Sequence, residues 1–428
     1  MTRLQAAPTP FHAVAVMSEA LSQSGFKRLE ETDNWQLIPG QGYYVIRDFG
    51  SLIAFVAPPP GKPLPVRMAG THTDSPVLKL KPNALKKKQK LWTADVQLYG
   101  GILLSTWFDR DLSLAGLVTG LDKGGDTHHQ LVDLKEPLAV LPNLAIHLNR
   151  GVNEGVKINT HEQMNPVLFP VLEGEEANSD NPLTQRLLSQ LAEDNPNQPV
   201  ITAILDWELC FYDLQPPALI GLDRQWLTSA RLDNLLSCFV GLEALLNTSN
   251  DEINTDFIPM LACFNHEEVG STSATGAASN FAESVLHRIF PDPTTMARAI
   301  AASWMISIDN AHACHPNYPA TQDEQHCPDI NGGPVIKTNA NQRYATTTLS
   351  SGFFKGLCHQ AGVPVQNFTV RADMPCGSTI GPMLSSRLGM KTVDIGVPTW
   401  AMHSIREVAG VNDLDHLYKV LIRFFHHT

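Results

Sequence analysis

The apolar positions change their period along the chain. Thr9-Pro10 is followed by Val14, Met17 and Leu21 and closed by Gly25. That spacing predicts a capped amphipathic helix with a glycine stop. Residues 43–46 and 52–56 are short apolar-rich runs and predict a pair of strands. Residues 64–68 form another largely apolar run, which leads into Gly70-Thr71-His72-Thr73-Asp74-Ser75-Pro76. From about residue 88 the texture shifts to short runs, 92–99, 114–120 and 138–141, separated by turn residues. These predict β structure with hairpins. Residues 173–199 are acidic and rich in Asn and Pro around a short helical pattern, and read as a surface excursion. Beyond residue 219 strands and helices alternate. Asp233 opens a helix with Leu235, Phe239, Leu242 and Leu246 on one face, and apolar runs follow at 259–264, 305–308, 368–370 and 393–395. A last helix carries Leu417, Val420, Leu421 and Phe424. This alternation predicts an α/β fold, a mixed β-sheet flanked by helices. Residues 1–87 and 219–428 form the catalytic domain in this reading, with a β-rich domain, 88–218, inserted between them.

The composition narrows the choice. The chain has 428 residues, 43% hydrophobic and 17% charged. Globular chains carry about 25% charged residues, so disorder is excluded and much surface is expected to be buried, within the chain or between subunits. The net charge of −12 argues against nucleic acid as a partner. The short basic run Lys86, Lys87, Lys88 and Lys90 has no aromatic platform beside it and does not reverse that. The seven cysteines are odd in number and form no C-x-x-C pair, so they read as free thiols of a reducing compartment. The N-terminus lacks the apolar core of a secretory signal, and no apolar run reaches the ~18 residues of a membrane span. The expectation is a cytoplasmic, soluble protein with no membrane partner.

The His and acidic residues follow the apolar runs closely. His72 and Asp74 come after 64–68, His266-Glu267-Glu268 after 259–264, Asp309 and His312 after 305–308, and His403 beyond 393–395. Ligands in open α/β sheets bind outside the carboxyl ends of strands, so these groups are placed to converge. Each has an ordinary alternative. His-x-Asp can be a loop hydrogen bond, Glu-Glu a solvated pair, Asp233 a helix cap, Asp309 a turn residue and His403 a satisfied core histidine. Together they form an imidazole and carboxylate set without thiolate, which suits a catalytic zinc or manganese site. A two-metal hydrolase needs a bridging carboxylate, a non-ligating carboxylate as proton carrier, and an acid that orients the imidazole. One Asp can supply the bridge, and the Glu267-Glu268 pair and Asp74 offer the other two.

Six segments, in order, resemble the aspartyl aminopeptidase family of di-zinc metallopeptidases, with the bacterial cytoplasmic branch nearest: His72-Thr73-Asp74-Ser75-Pro76, Arg231-Leu232-Asp233-Asn234, His266-Glu267-Glu268-Val269-Gly270-Ser271, Asp309-Asn310-Ala311-His312, Gly377-Ser378-Thr379-Ile380-Gly381-Pro382 and Ala401-Met402-His403-Ser404-Ile405-Arg406-Glu407. The resemblance implies two Zn2+ per subunit, with Mn2+ or Co2+ as substitutes. His72 and Asp309 would be terminal ligands of one ion, Glu268 and His403 of the other, with Asp233 as the bridge. Glu267 would be the general base and Asp74 the orienting acid. It also implies an inserted domain that serves oligomerisation, a tetrahedral homododecamer, and His147 reaching a neighbour's active site. The implied substrates are peptides with N-terminal Asp or Glu, held by Lys337 with His312 and Tyr344, and by backbone N–H groups at Gly377 and Ser378. Two rivals stand beside this reading: a related two-metal aminopeptidase of neutral preference, and a non-catalytic metal-binding shell protein.

Overall fold

A computed structural model describes residues 1–155, 157–171, 182–248 and 256–426. The chain divides into two compact units, residues 1–74, 217–402 and 407–428 in the first and 75–216 and 403–406 in the second.

The first unit is built on a nine-stranded mixed sheet. Its order is Lys27–Leu29, Gly42–Arg47, Ser51–Val56, Ile258–Phe264, Val66–His72, Trp304–Ile308, Lys391–Gly396, Val335–Lys337 and Gln366–Phe368. The four strands from Ile258–Phe264 to Lys391–Gly396 run parallel. Parallel strands are covered on both faces, so they read as continuous apolar runs, and every residue of Ile258–Phe264 is buried. Side chains alternate between faces along that strand. Leu261 and Cys263 join one core with helices Leu232–Thr248, Thr348–Ala361 and Val411–His426 through Leu235, Phe354 and Leu421. Met260, Ala262 and Phe264 join another with Phe281, Val285 and Ile380 from helices Phe281–Ile289 and Ile380–Leu388. The helix expected after Thr9 spans Pro10–Gln23, with the Thr9 side chain accepting the His12 N–H. A smaller five-stranded sheet in this unit runs Ala218–Ile220, Trp226–Ser229, Glu407–Gly410, Pro398–Trp400 and Ala311–His312.

The second unit holds a six-stranded antiparallel sheet, in the order Thr127–Asp133, Leu112–Leu121, Ala203–Asp213, Val77–Lys88, Leu91–Tyr99 and Val167–Pro170. The boundary expected at 87/88 lies at 74/75 instead, because strand Val77–Lys88 hydrogen-bonds into this sheet. Residues 138–141 do not form a strand and make only isolated bridges, one of them Leu112 to Ala139. The reading of 173–199 as an excursion is corrected in part. Residues 182–194 form helix Pro182–Asp194, which buries Leu183, Leu187 and Leu191 against the unit's core. Residues 173–181 lie outside the described residues.

The reading of every cysteine as a free thiol is also corrected. Cys314 and Cys327 are disulfide-bonded, with Cα atoms 5.0 Å apart. The chain folds back between them, and the Cys314 N–H donates to the Pro328 carbonyl at 2.7 Å. That return brings the thiols into bonding range, which sequence spacing does not reveal. Of the other five, Cys210, Cys238, Cys263 and Cys358 are buried.

Candidate metal centre

Three adjacent parallel strands deliver the cluster. Ile258–Phe264, Val66–His72 and Trp304–Ile308 are neighbours in the sheet, and Phe264 pairs in register with His72. Their carboxyl ends therefore open on one edge. His72 ends its strand there, Glu267 and Glu268 sit in the short turn Glu267–Val269 just beyond the second, and Asp309 follows the third. Asp233 arrives from the small sheet. It lies at the start of helix Leu232–Thr248, where its φ/ψ of −83°/102° is not helical.

The imidazole of His72 is the hub. Its Nε2 lies 3.4 Å from Asp233 Oδ1, 3.4 Å from Asp309 Oδ1 and 3.9 Å from Glu267 Oε2. Its Nδ1 lies 3.0 Å from the Asp74 carbonyl oxygen and 3.5 Å from Asp74 Oδ1. The Asp74 carboxylate has a second task. It accepts the Glu267 N–H on Oδ1 and the Glu268 N–H on Oδ2, both at 3.1 Å. One buried acid thus fixes the imidazole and the turn that carries both glutamates.

Crowding of carboxylates sets the electrostatics. Burial pushes the Glu267 carboxyl up to about 8; the charges of Asp309, Asp74 and Asp233 push the same way and His72 opposes them. Burial, then Asp233, holds Glu268 well above the usual carboxylate range. Burial alone would lower His72, but hydrogen bonds to Asp233, Asp309 and Asp74 outweigh it and hold the imidazole well above its ordinary value. Such a cluster is costly to ionise on its own and is relieved by a cation.

The donor set fits that cation. Ligand atoms of His72, Asp233 and Glu268 lie within 4.8 Å of one another. One imidazole with carboxylates and no thiolate is the donor chemistry of a catalytic zinc. His403 groups with the second unit, where its Nδ1 lies 3.0 Å from the Gly101 carbonyl oxygen. His147 is in that unit too, in the exposed turn Ile146–Leu148.

Around the cluster, Lys337 is 3% exposed, its ammonium 3.1 Å from Asp309 Oδ2 and 5.5 Å from the centre of the Tyr344 ring. His312 is exposed, its ring edge-on to Phe368 at 5.7 Å. Ser378 donates from its hydroxyl to the Arg343 carbonyl at 3.0 Å. A Cβ added at Gly377 would meet nothing within 4 Å, so that backbone stands open.

Three supporting residues had no role in the sequence reading. Glu407, 2% exposed, accepts the Asp233 N–H at 2.9 Å. Asn234 donates from Nδ2 to the Ile308 carbonyl at 2.7 Å, tying the Asp233 segment to the strand before Asp309. Asp394 is wholly buried. Glu407 lies in one of the motif segments above, and an acid opening an apolar strand was the signal available.

An α/β sheet whose parallel strand ends bring an imidazole and several carboxylates together has the donor set that a metal-dependent hydrolase requires. The family model for "Aminopeptidase I zinc metalloprotease (M18)" matches residues 3–425. The chain is 50% identical over 426 residues to a "Probable M18 family aminopeptidase 2" of Pseudomonas syringae pv. syringae, covering 99% of this chain and 96% of that protein. Among solved structures, the cryo-EM structure of the Ape4 and Nbr1 complex matches with a TM-score of 0.95 at 36% identity, over 99% of this chain and 84% of that one. The S. cerevisiae mApe1 dodecamer matches with a TM-score of 0.86 at 28% identity, over 100% and 95%. The chain belongs to the M18 family of zinc metalloproteases. It is a metallo-aminopeptidase, a hydrolase of peptide bonds.

Proposed function

We propose that the protein removes acidic residues, Asp or Glu, from the N-termini of peptides, with two Zn2+ per subunit held by His72, Asp233, Glu268, Asp309 and His403. The observation that carries the acidic preference is Lys337, a buried ammonium beside the ligand cluster. A buried cation at a peptide-binding site finds its natural partner in a carboxylate. His312, Tyr344 and the Gly377-Ser378 backbone complete the pocket in this reading, and His147 reaches the site of a neighbouring subunit.

When bound, zinc lowers the pKa of a water and polarises the scissile carbonyl. Glu267 receives the proton of the attacking water and passes it to the leaving amine. Its N–H is held by Asp74, so the base is positioned through its own backbone. Asp74 also keeps the His72 ring in one orientation.

Assembly into a tetrahedral homododecamer and action in the cytoplasm belong to the same proposal; the likeness to the mApe1 dodecamer supports a homo-oligomer. A second reading, a neutral-residue aminopeptidase, has one observation in its favour: Lys337 already pairs with Asp309. Hydrolysis of Asp-, Glu-, Leu- and Ala-p-nitroanilide by zinc-loaded wild type and Lys337→Ala separates them. Wild type is expected to cleave Asp or Glu best, with Lys337→Ala losing acidic turnover more than neutral. An equal loss on all four refutes the pocket assignment.

A further inference from the structure

Asp394 belongs to no role assigned above. It lies in strand Lys391–Gly396, between Trp304–Ile308 and Val335–Lys337, and its side chain is 0% exposed. Its Oδ2 accepts the Ala345 N–H and its Oδ1 the Thr379 hydroxyl, both at 2.6 Å. Its own N–H donates to Thr346 Oγ1 at 2.9 Å. Ala345 follows Tyr344, and Thr379 follows Gly377-Ser378 at the start of helix Ile380–Leu388. One carboxylate therefore joins two segments that lie apart in sequence, next to Tyr344 and to Gly377-Ser378 of the pocket proposed above.

The packing leaves that carboxylate no slack. A Cβ at Gly381 would stand 2.3 Å from Oδ1 and 2.4 Å from Oδ2. The first turn of the helix thus rests directly on the carboxyl group. The two segments meet again nearer the surface, where Ser378 donates to the Arg343 carbonyl and Arg343 Nε donates to the Cys376 carbonyl at 3.3 Å. Water competes for those exposed bonds. It does not reach Asp394, so an unmade bond there carries the full desolvation penalty.

We propose that Asp394 is a positioning residue of the specificity pocket, setting the spacing between the Tyr344-Ala345 segment and the Gly377–Thr379 turn where they receive the substrate's N-terminal residue. This rests on the pocket reading above. The test uses zinc-loaded protein and whichever aminoacyl p-nitroanilide wild type cleaves best, so the acidic preference is judged on wild type alone. KM and kcat are measured for Asp394→Ala, Asp394→Asn, Thr379→Val and Thr379→Ser.

Groups that hold the substrate equally well before and during the reaction set KM rather than kcat. Asp394→Ala is expected to raise KM about tenfold, with kcat and zinc content within about twofold of wild type. Asparagine keeps an acceptor for the Ala345 N–H and a polar partner for Thr379, so Asp394→Asn is expected to bring KM back to within about threefold. Thr379→Val is expected to raise KM and Thr379→Ser to leave it unchanged. The proposal is overturned if Asp394→Ala lowers kcat or zinc content with KM unchanged, if asparagine is as damaging as alanine, or if valine and serine at 379 behave alike. Should Asp394→Ala fail to fold, the Thr379 pair decides alone.

Discussion

Asp74→Asn tests how the centre is held together. The carboxylate presents two oxygens to two backbone N–H groups, those of Glu267 and Glu268. Asparagine presents one oxygen and one NH2, so one N–H of the turn Glu267–Val269 loses its acceptor. A hydrogen bond to a charged group is worth ~1.5–3 kcal/mol net. The His72 ring keeps its shorter partner, the Asp74 main-chain oxygen 3.0 Å from Nδ1, and only its 3.5 Å contact to Asp74 Oδ1 is altered. The damage should therefore fall on the turn that carries the proposed base and a proposed ligand. Spent on displacing that turn, it corresponds to a loss of zinc affinity on the order of 10- to 100-fold. Asp74→Ala removes both acceptors and should cost more. A second effect has its own sign. The Asp74 charge helps to raise Glu267, so its removal should move the acid limb of the rate profile to lower pH. Zinc affinity is measured by competition with a chromophoric chelator, and turnover at saturating zinc across pH. Unchanged affinity in Asp74→Asn, or an equal loss in the asparagine and alanine variants, refutes the reasoning.

Three further expectations follow from two buried acids and the disulfide. Burial pushes Asp413 up to about 7 against the N–H groups of Asn331 and Gly333, so between about pH 4 and 7 the folded chain holds a proton that the unfolded chain has lost, and stability falls as pH rises. Asp413→Asn removes that titration. The gap in melting temperature between wild type and variant should move in the variant's favour across this window, and a flat gap refutes it. The nearby His416, whose pKa burial lowers, is common to both proteins. Glu407→Gln keeps an oxygen for the Asp233 N–H and should retain zinc and activity, whereas Glu407→Leu strands that buried N–H at ~1–3 kcal/mol and should lower zinc content, as read by denaturant unfolding and metal analysis. Cys327→Ser opens the 13-residue separation closed by the bridge; a disulfide over about 15 residues is worth ~3 kcal/mol in the chain-entropy model. The stability gap to wild type should appear in oxidising buffer and close in reducing buffer.

The strands that carry the site were legible because parallel strands buried on both faces are written as unbroken apolar runs, as at Ile258–Phe264. His72, Glu267, Glu268 and Asp309 were legible for a related reason: a polar residue just past such a run stands at the sheet's carboxyl edge. What was missed depends on contacts across the chain. Asp394 sits within a strand that buries five residues in a row, and nothing local says that Ala345 and Thr379 will meet it. The bridge from Cys314 to Cys327 depends on a loop that returns. The helical pattern at Pro182–Asp194 was legible, but its acidic flanks hid that Leu183, Leu187 and Leu191 turn inward to the core.

The centre also shows how a fold holds like charges together. Three acids and two glutamates crowd His72, and mutual repulsion alone would drive them apart or protonate them. Several are held by the chain rather than by one another. Asp74 is pinned by two backbone N–H groups, the Asp233 backbone by Glu407, and Asp309 by Lys337 and by its own N–H on the Ile395 carbonyl. Asn234 ties the Asp233 segment to the strand that ends before Asp309. These bonds are mostly buried and mostly to backbone, so they are stiff. A cluster fixed in this way meets a cation with little rearrangement, and that is the sense in which such a site is preorganised for the electrostatics of its reaction.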